Sequence, residues 1–151
     1  MRNRIAIVLL VAVPLAGIDL FVKHVLPTAP FFFHRRSGEW MILSAVVLLF
    51  TLLLARLPSR LLACSAGLFA AGVLGNLVSA RLHDGLVPNP FVIVNKDWVL
   101  AFNLADLFAL GGIVLLTAAT LRVTVRYRHV LPQSTVAARL VRRLRSLLAP
   151  S

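Results

Sequence analysis

The chain has 151 residues, of which 60% are hydrophobic and only 14% charged, with a mean hydropathy of +0.92. A soluble domain carries about 25% charged residues, and a disordered chain is poor in apolar side chains, so this composition excludes both. Sixteen basic residues against five acidic ones give a net charge of +11. The basic groups flank long apolar runs, which points to the anionic face of a bilayer and not to nucleic acid. The single cysteine, Cys64, excludes a disulfide framework within the chain and a CxxC metal or redox site.

A bilayer core takes about 20 apolar residues as a helix. Four stretches qualify in chain order: residues 5–22, 40–55, 61–80 and 99–121. The first has the basic start and apolar core of a signal peptide, and Leu15-Ala16-Gly17 resembles the opening of a lipobox. Ile18 stands where the lipid-bearing cysteine would be, so this stretch is expected to remain as a membrane helix. The expected fold is an all-α membrane protein, a four-helix bundle over residues 1–133.

The loops orient the spans. Arg2, Arg4, Arg56, Arg60 and the seven arginines after the fourth span put eleven basic residues on one side. Lys23, Arg35, Arg36, Arg81 and Lys96 put five on the other. The positive-inside rule then places both termini in the cytoplasm and the loops 23–39 and 81–98 outside, with Trp40 and Trp98 where interfacial anchors belong. Residues 134–151 form a basic tail, in which Val136, Leu140, Val141, Leu144, Leu147 and Leu148 recur at helical spacing. That stripe predicts an amphipathic helix on the cytoplasmic leaflet.

Polar groups inside apolar spans carry the information about function. A carboxylate at mid-membrane costs about 3 kcal/mol on insertion scales, so such residues face protein and are candidates for function. Asp19 lies near the outer end of the first span, four residues before Lys23, the spacing of an ion pair on one helix face. Asp106 falls some seven residues into the fourth predicted span, with no basic residue within a turn. A buried carboxyl without a cation beside it favours its protonated form, which a general acid needs. Asn76 and Asn103 join them in the same outer layer. His24, His34 and His83 lack helical ligand spacing, so neither a metal nor any other cofactor is expected.

Asp19-x-x-x-Lys23, Gly75-Asn76, Phe102-Asn103-Leu104-Ala105-Asp106 and the glycines at 111 and 112 resemble the motifs of the lipoprotein signal peptidases (signal peptidase II). The resemblance extends over about 110 residues. It implies a multi-pass protein of the bacterial cytoplasmic (inner) membrane and an aspartic protease active site with two carboxyls. It also implies lipid-modified prolipoprotein signal peptides as partners. Asp106 matches one catalytic aspartate. Asn76, Arg81, Asn103, Asp19 and Lys23 match positions that surround the substrate.

The chain departs from that family at telling places. Its GNxxDR motif becomes Gly75-Asn76-Leu77-Val78-Ser79-Ala80-Arg81, with the arginine one position late. Counting on from Arg81 puts Asn89 at the other catalytic aspartate. Two facing carboxyls share one proton, so that one deprotonates water while the other protonates the leaving group. A carboxamide holds a water or carbonyl but moves no proton near neutral pH. Asp84, five residues upstream, is the candidate substitute. The family's first outer loop is replaced by Arg35-Arg36-Ser37-Gly38-Glu39-Trp40, leaving little chain for the β-containing platform that the resemblance implies. Three readings stand at this point. They are an active endopeptidase, a non-proteolytic paralogue that binds lipidated signal peptides or lipid, and a small membrane transport or scaffold subunit.

Overall fold

The computed structural model describes residues 2–54, 56 and 59–128, so the predicted amphipathic tail at 134–151 lies outside the described residues. The architecture is mostly helical. Helices α1 (Arg2–Val25), α2 (Gly38–Leu54), α3 (Arg60–Leu82) and α4 (Leu104–Arg126) are joined by short strands and turns. One compact unit covers Met1–Leu116, and α4 runs on into a second that begins at Thr117. Everything that follows concerns the first.

Among the described residues three helices are long and apolar enough to cross a membrane: Arg4–Val25, Arg60–Leu82 and Leu104–Arg126. At 1.5 Å per residue, the 17 residues of α2 reach about 25 Å, which is short of a bilayer core. The distribution of side chains is that of a membrane protein. Leu10, Phe21, Ile42, Leu49, Phe50, Leu110 and Val114 are exposed, whereas the buried positions of α3 are almost all alanine, glycine and serine. In lipid no hydrophobic force separates core from surface, so helices associate where small residues let backbones close in.

α3 is the helix on which the others pack. A Cβ on Gly67 would meet Val8 O of α1 at 2.9 Å. One on Gly72 would collide with the Ala105 carbonyl and the Ala109 amide of α4. One on Gly112 would collide with the Phe69 backbone. Ser59 caps the start of α3, its hydroxyl accepting from Leu62 N at 3.3 Å.

Where the sequence suggested little room for a platform, two small antiparallel pairs form. β1 (Phe33–Arg35) pairs with β2 (Leu86–Pro88), with His34 opposite Val87. β3 (Phe91–Val94) pairs with β4 (Val99–Phe102) in a hairpin, with Phe91 opposite Phe102. Three residues suffice for β1, because the chain leaving α3 reverses sharply at Asp84 and Gly85, whose φ values are +50° and +87°. There Gly85 N donates to Ala80 O at 2.7 Å, and Arg36 N donates to Gly85 O at 2.7 Å.

The hairpin also corrects the predicted fourth span. Residues 99–102 extend its apolar run, but they are β4, and α4 begins at Leu104. Val99-Leu100-Ala101-Phe102 faces Phe91-Val92-Ile93-Val94, a strand-forming segment that satisfies its backbone by pairing. Trp98 sits in the hairpin turn, where its carbonyl accepts from Asn95 N at 2.9 Å. Asp106 moves with the boundary. It is the third residue of α4, in its first turn, and not some seven residues into the span.

Candidate functional site

The start of α4 is a reciprocal cap. Asn103 Oδ1 accepts from Asp106 N at 3.0 Å, and Asp106 Oδ2 accepts from Asn103 N at 3.2 Å. This is the capping-box geometry, with Asn at the cap and Asp three residues on. The helix N-terminus also carries a partial positive charge that favours a carboxylate there.

A second carboxyl serves the same helix end from α1. Asp19 is fully buried, and its Oδ1 accepts from Ala105 N at 2.8 Å. Its Oδ2 pairs with the Lys23 ammonium at 2.7 Å, so the ion pair expected from the spacing is present. Gly75 makes room for it, since a Cβ there would sit 2.7 Å from Asp19 Oδ2.

Asn76 joins the two carboxyls. Lys23 Nζ donates to Asn76 Oδ1 at 2.8 Å, and Asn76 Nδ2 donates to Asp106 Oδ1 at 2.8 Å. An ammonium has only donors, so the carbonyl end of the amide must face Lys23 and the NH₂ end must face Asp106. The direction of donation is therefore fixed from Lys23 through Asn76 to Asp106, and each Asp106 oxygen is an acceptor.

Asn89 enters from the other side. It is buried, and its Oδ1 accepts from Asn103 Nδ2 at 2.6 Å. Its Nδ2 donates to Ala101 O at 3.3 Å, and its backbone N–H donates to Phe32 O at 3.2 Å. Asn89 and Asp106 thus share Asn103 as a common partner and are bridged by it. The structure gathers Asp19, Lys23, Asn76, Asn89, Asn103 and Asp106 into one network. Asp84 and Arg81 stand apart. Both are exposed and line a separate hollow with Arg35, Arg36 and Gly85.

Asp106 and Asn76 form one wall of a groove of about 300 Å³ between α2, α3 and α4, closed elsewhere by Leu43, Val47, Phe69 and Val73. Arg36, Trp40 and Ser44 complete it, and the sequence reading did not assign them to the site. The Arg36 guanidinium lies 4.7 Å from the centre of the Trp40 ring, a cation–π contact. Their spacing of four residues was the available signal. Ser44 was hidden in an apolar run.

Sequence comparison decides the family. The family model described as signal peptidase (SPase) II matches residues 29–122, more than half of the chain. The chain belongs to the signal peptidase II family. Two solved structures of a bacterial membrane enzyme, obtained by the in meso method at 2.3 and 1.9 Å, share its fold. The first is 21% identical with a TM-score of 0.58, covering 76% of this chain and 87% of its own. The second is 22% identical with a TM-score of 0.58, covering 75% and 91%. No curated protein matches significantly. The matched segment holds Asn76, Asn89, Asn103 and Asp106, while Asp19 and Lys23 precede it and join the same network from α1.

Proposed function

We propose that this signal peptidase II relative binds lipid-modified prolipoprotein signal peptides in the groove beside Asp106 and does not cleave them at an aspartic protease's rate. One observation carries the reading: among the residues that line the groove, Asp106 is the one carboxyl. Asn89, at the family's other catalytic position, is buried and spends its amide on Asn103 and Ala101. Asp84 lines the other hollow. A lone carboxyl can polarise a water or hold a peptide carbonyl, but it lacks the partner with which to exchange a proton as the amide bond breaks. The apolar walls suit an acyl chain or an apolar signal helix, and Asn76, Arg36 and Ser44 offer polar contacts to a peptide backbone.

The reading places the chain in the bacterial inner membrane with α2 as a fourth span and both termini in the cytoplasm. The eleven-to-five division of basic residues supports it. So does Arg4, whose guanidinium donates to Arg56 O at 3.4 Å and so brings the two basic ends together. Reporter fusions after Arg60 should then read as cytoplasmic, and fusions near Ser37 and Asn95 as external.

The functional test is made in nanodiscs with a lipid-modified prolipoprotein and an active signal peptidase II alongside. Saturable binding without release of the signal peptide is expected. Release at a rate comparable to the active enzyme's would overturn the reading, as would the absence of binding.

A further inference from the structure

The second hollow, of about 490 Å³, lies where α3 ends and α2 begins. Its lining includes Arg35, Arg36 and Arg81, the α2 cap Ser37, and Asp84 as the one acid. The arginines come from separate parts of the chain, Arg35 and Arg36 from β1 and the residue after it, Arg81 from the last turn of α3. None of the three forms an ion pair among the described residues, where the Asp19–Lys23 bridge stands alone. Arg36 Nε is buried and has no hydrogen-bond partner. Three arginines line one cavity, and the buried Nε–H of one of them has no partner, so the hollow has the charge and the donors to suit an anion.

We infer that this hollow binds the phosphate of an anionic phospholipid headgroup. The guanidinium fork suits phosphate oxygens, which accept two parallel N–H bonds from one arginine. The height is right as well, because the apolar span of α3 closes at Leu82, one residue beyond Arg81, where headgroup phosphates lie. Arg36 lines the groove beside Asp106 as well, so the two hollows meet at one side chain. The inference goes beyond the proposed function. It concerns lipid binding and is read without any cleavage assay, so the two can fail separately.

The test is retention of phosphatidylglycerol against phosphatidylcholine by the full chain, measured by native mass spectrometry after release from mixed nanodiscs. Each basic residue near an anionic lipid surface is worth about fivefold in affinity. The native chain should therefore retain phosphatidylglycerol preferentially, and Arg35→Gln/Arg81→Gln should lose that preference by about tenfold or more. Both residues are exposed, so the double variant keeps the packing around Arg36. Lys96→Gln, an exposed cation in the β3–β4 turn and outside the hollow, should keep the preference. Equal retention of the two lipids by the native chain would overturn the inference. A loss in Lys96→Gln as large as in the double variant would do so too, since the effect would then be diffuse surface charge. Soluble glycerol phosphate should compete poorly. Binding as tight as that of the lipid would reassign the site to free phosphate esters.

Discussion

Asp19 Oδ1 accepts a hydrogen bond from Ala105 N at 2.8 Å, across 86 residues of sequence. The carboxylate that the sequence pairs with Lys23 is thus also a cap for α4, and it fixes the helix that carries Asp106. α4 receives two carboxylates at its first turn, Asp106 from within and Asp19 from α1. One ammonium is tied to both, directly to Asp19 and through Asn76 to Asp106.

Removing both members of this buried pair should cost less than the two single removals together. Asp19→Leu strands the Lys23 ammonium and opens the α4 cap. Lys23→Leu strands Asp19 and leaves Asn76 Oδ1 without its donor. Each single change should destabilise by about 3 kcal/mol or more, in the range for broken buried ion pairs. The double change should cost clearly less than the sum. Thermal or denaturant unfolding in a fixed detergent measures the cycle, and strict additivity would mean that the two side chains do not act together.

The glycines divide into those that hold helices together and those that do not. A methyl on Gly72 would strike the Ala105 carbonyl and push α4 away from α3, opening the groove at Asp106. Gly72→Ala should cost about 1–3 kcal/mol, as overpacking does. Gly17→Ala meets nothing within 4 Å and should be neutral or slightly stabilising, since alanine is the better helix former. Parallel melting curves decide it; equal midpoints would show that α3 and α4 do not pack at Gly72.

Local spacings were readable from the sequence, and long-range ones were not. The Asp19–Lys23 pair follows from helical periodicity alone. The apolar run 99–121 hid a boundary, because hydropathy does not distinguish a strand followed by a helix from one long helix. That displaced Asp106 from the first turn to some seven residues into the span. The Asn103-x-x-Asp106 pattern held the correct answer as a capping signal. Nothing in the sequence reveals that Asp19 caps α4 or that Arg36 belongs to two hollows. The second depends on the turn at Asp84–Gly85, which brings β2 against β1 and Gly85 O against Arg36 N.

Asn103 should prove the costliest of the asparagines to truncate. Its side chain accepts from Asp106 N and donates to Asn89, at 3.0 and 2.6 Å. Asn103→Ala removes a cap worth about 1 kcal/mol and leaves buried Asn89 Oδ1 without its donor, at about 1–3 kcal/mol more. Asn103→Ser restores the cap alone and should recover about 1 kcal/mol of the loss. A serine variant no more stable than the alanine one would show that the cap contributes nothing.

On the proposed reading, Asn89 is the residue that keeps this chain from cleaving, and Asn89→Asp tests it. In Asn89→Asp one carboxyl oxygen still accepts from Asn103 Nδ2, and the other replaces Nδ2 opposite Ala101 O. Two oxygens 3.3 Å apart without a proton repel each other. The new carboxyl must therefore bind a proton there or turn away from β4. Held protonated, it supplies the acid that the lone Asp106 lacks; turned away, it is free to approach the groove. Either outcome costs stability, about 1–3 kcal/mol. Signal-peptide release from a lipid-modified prolipoprotein should rise by at least about tenfold over the native chain, a change of about 1.4 kcal/mol in the barrier. Asp106→Asn should abolish that gain, and Asp84→Asn should leave it intact. The assay is single-turnover cleavage in nanodiscs, with melting curves to show that each variant is folded. Cleavage by the native chain that Asp84→Asn destroys would identify Asp84 as the second carboxyl and move the chemistry to the arginine-lined hollow. A folded Asn89→Asp that binds substrate and still does not cleave would show that the altered first loop, with Arg36 over Trp40, no longer presents the scissile bond to Asp106.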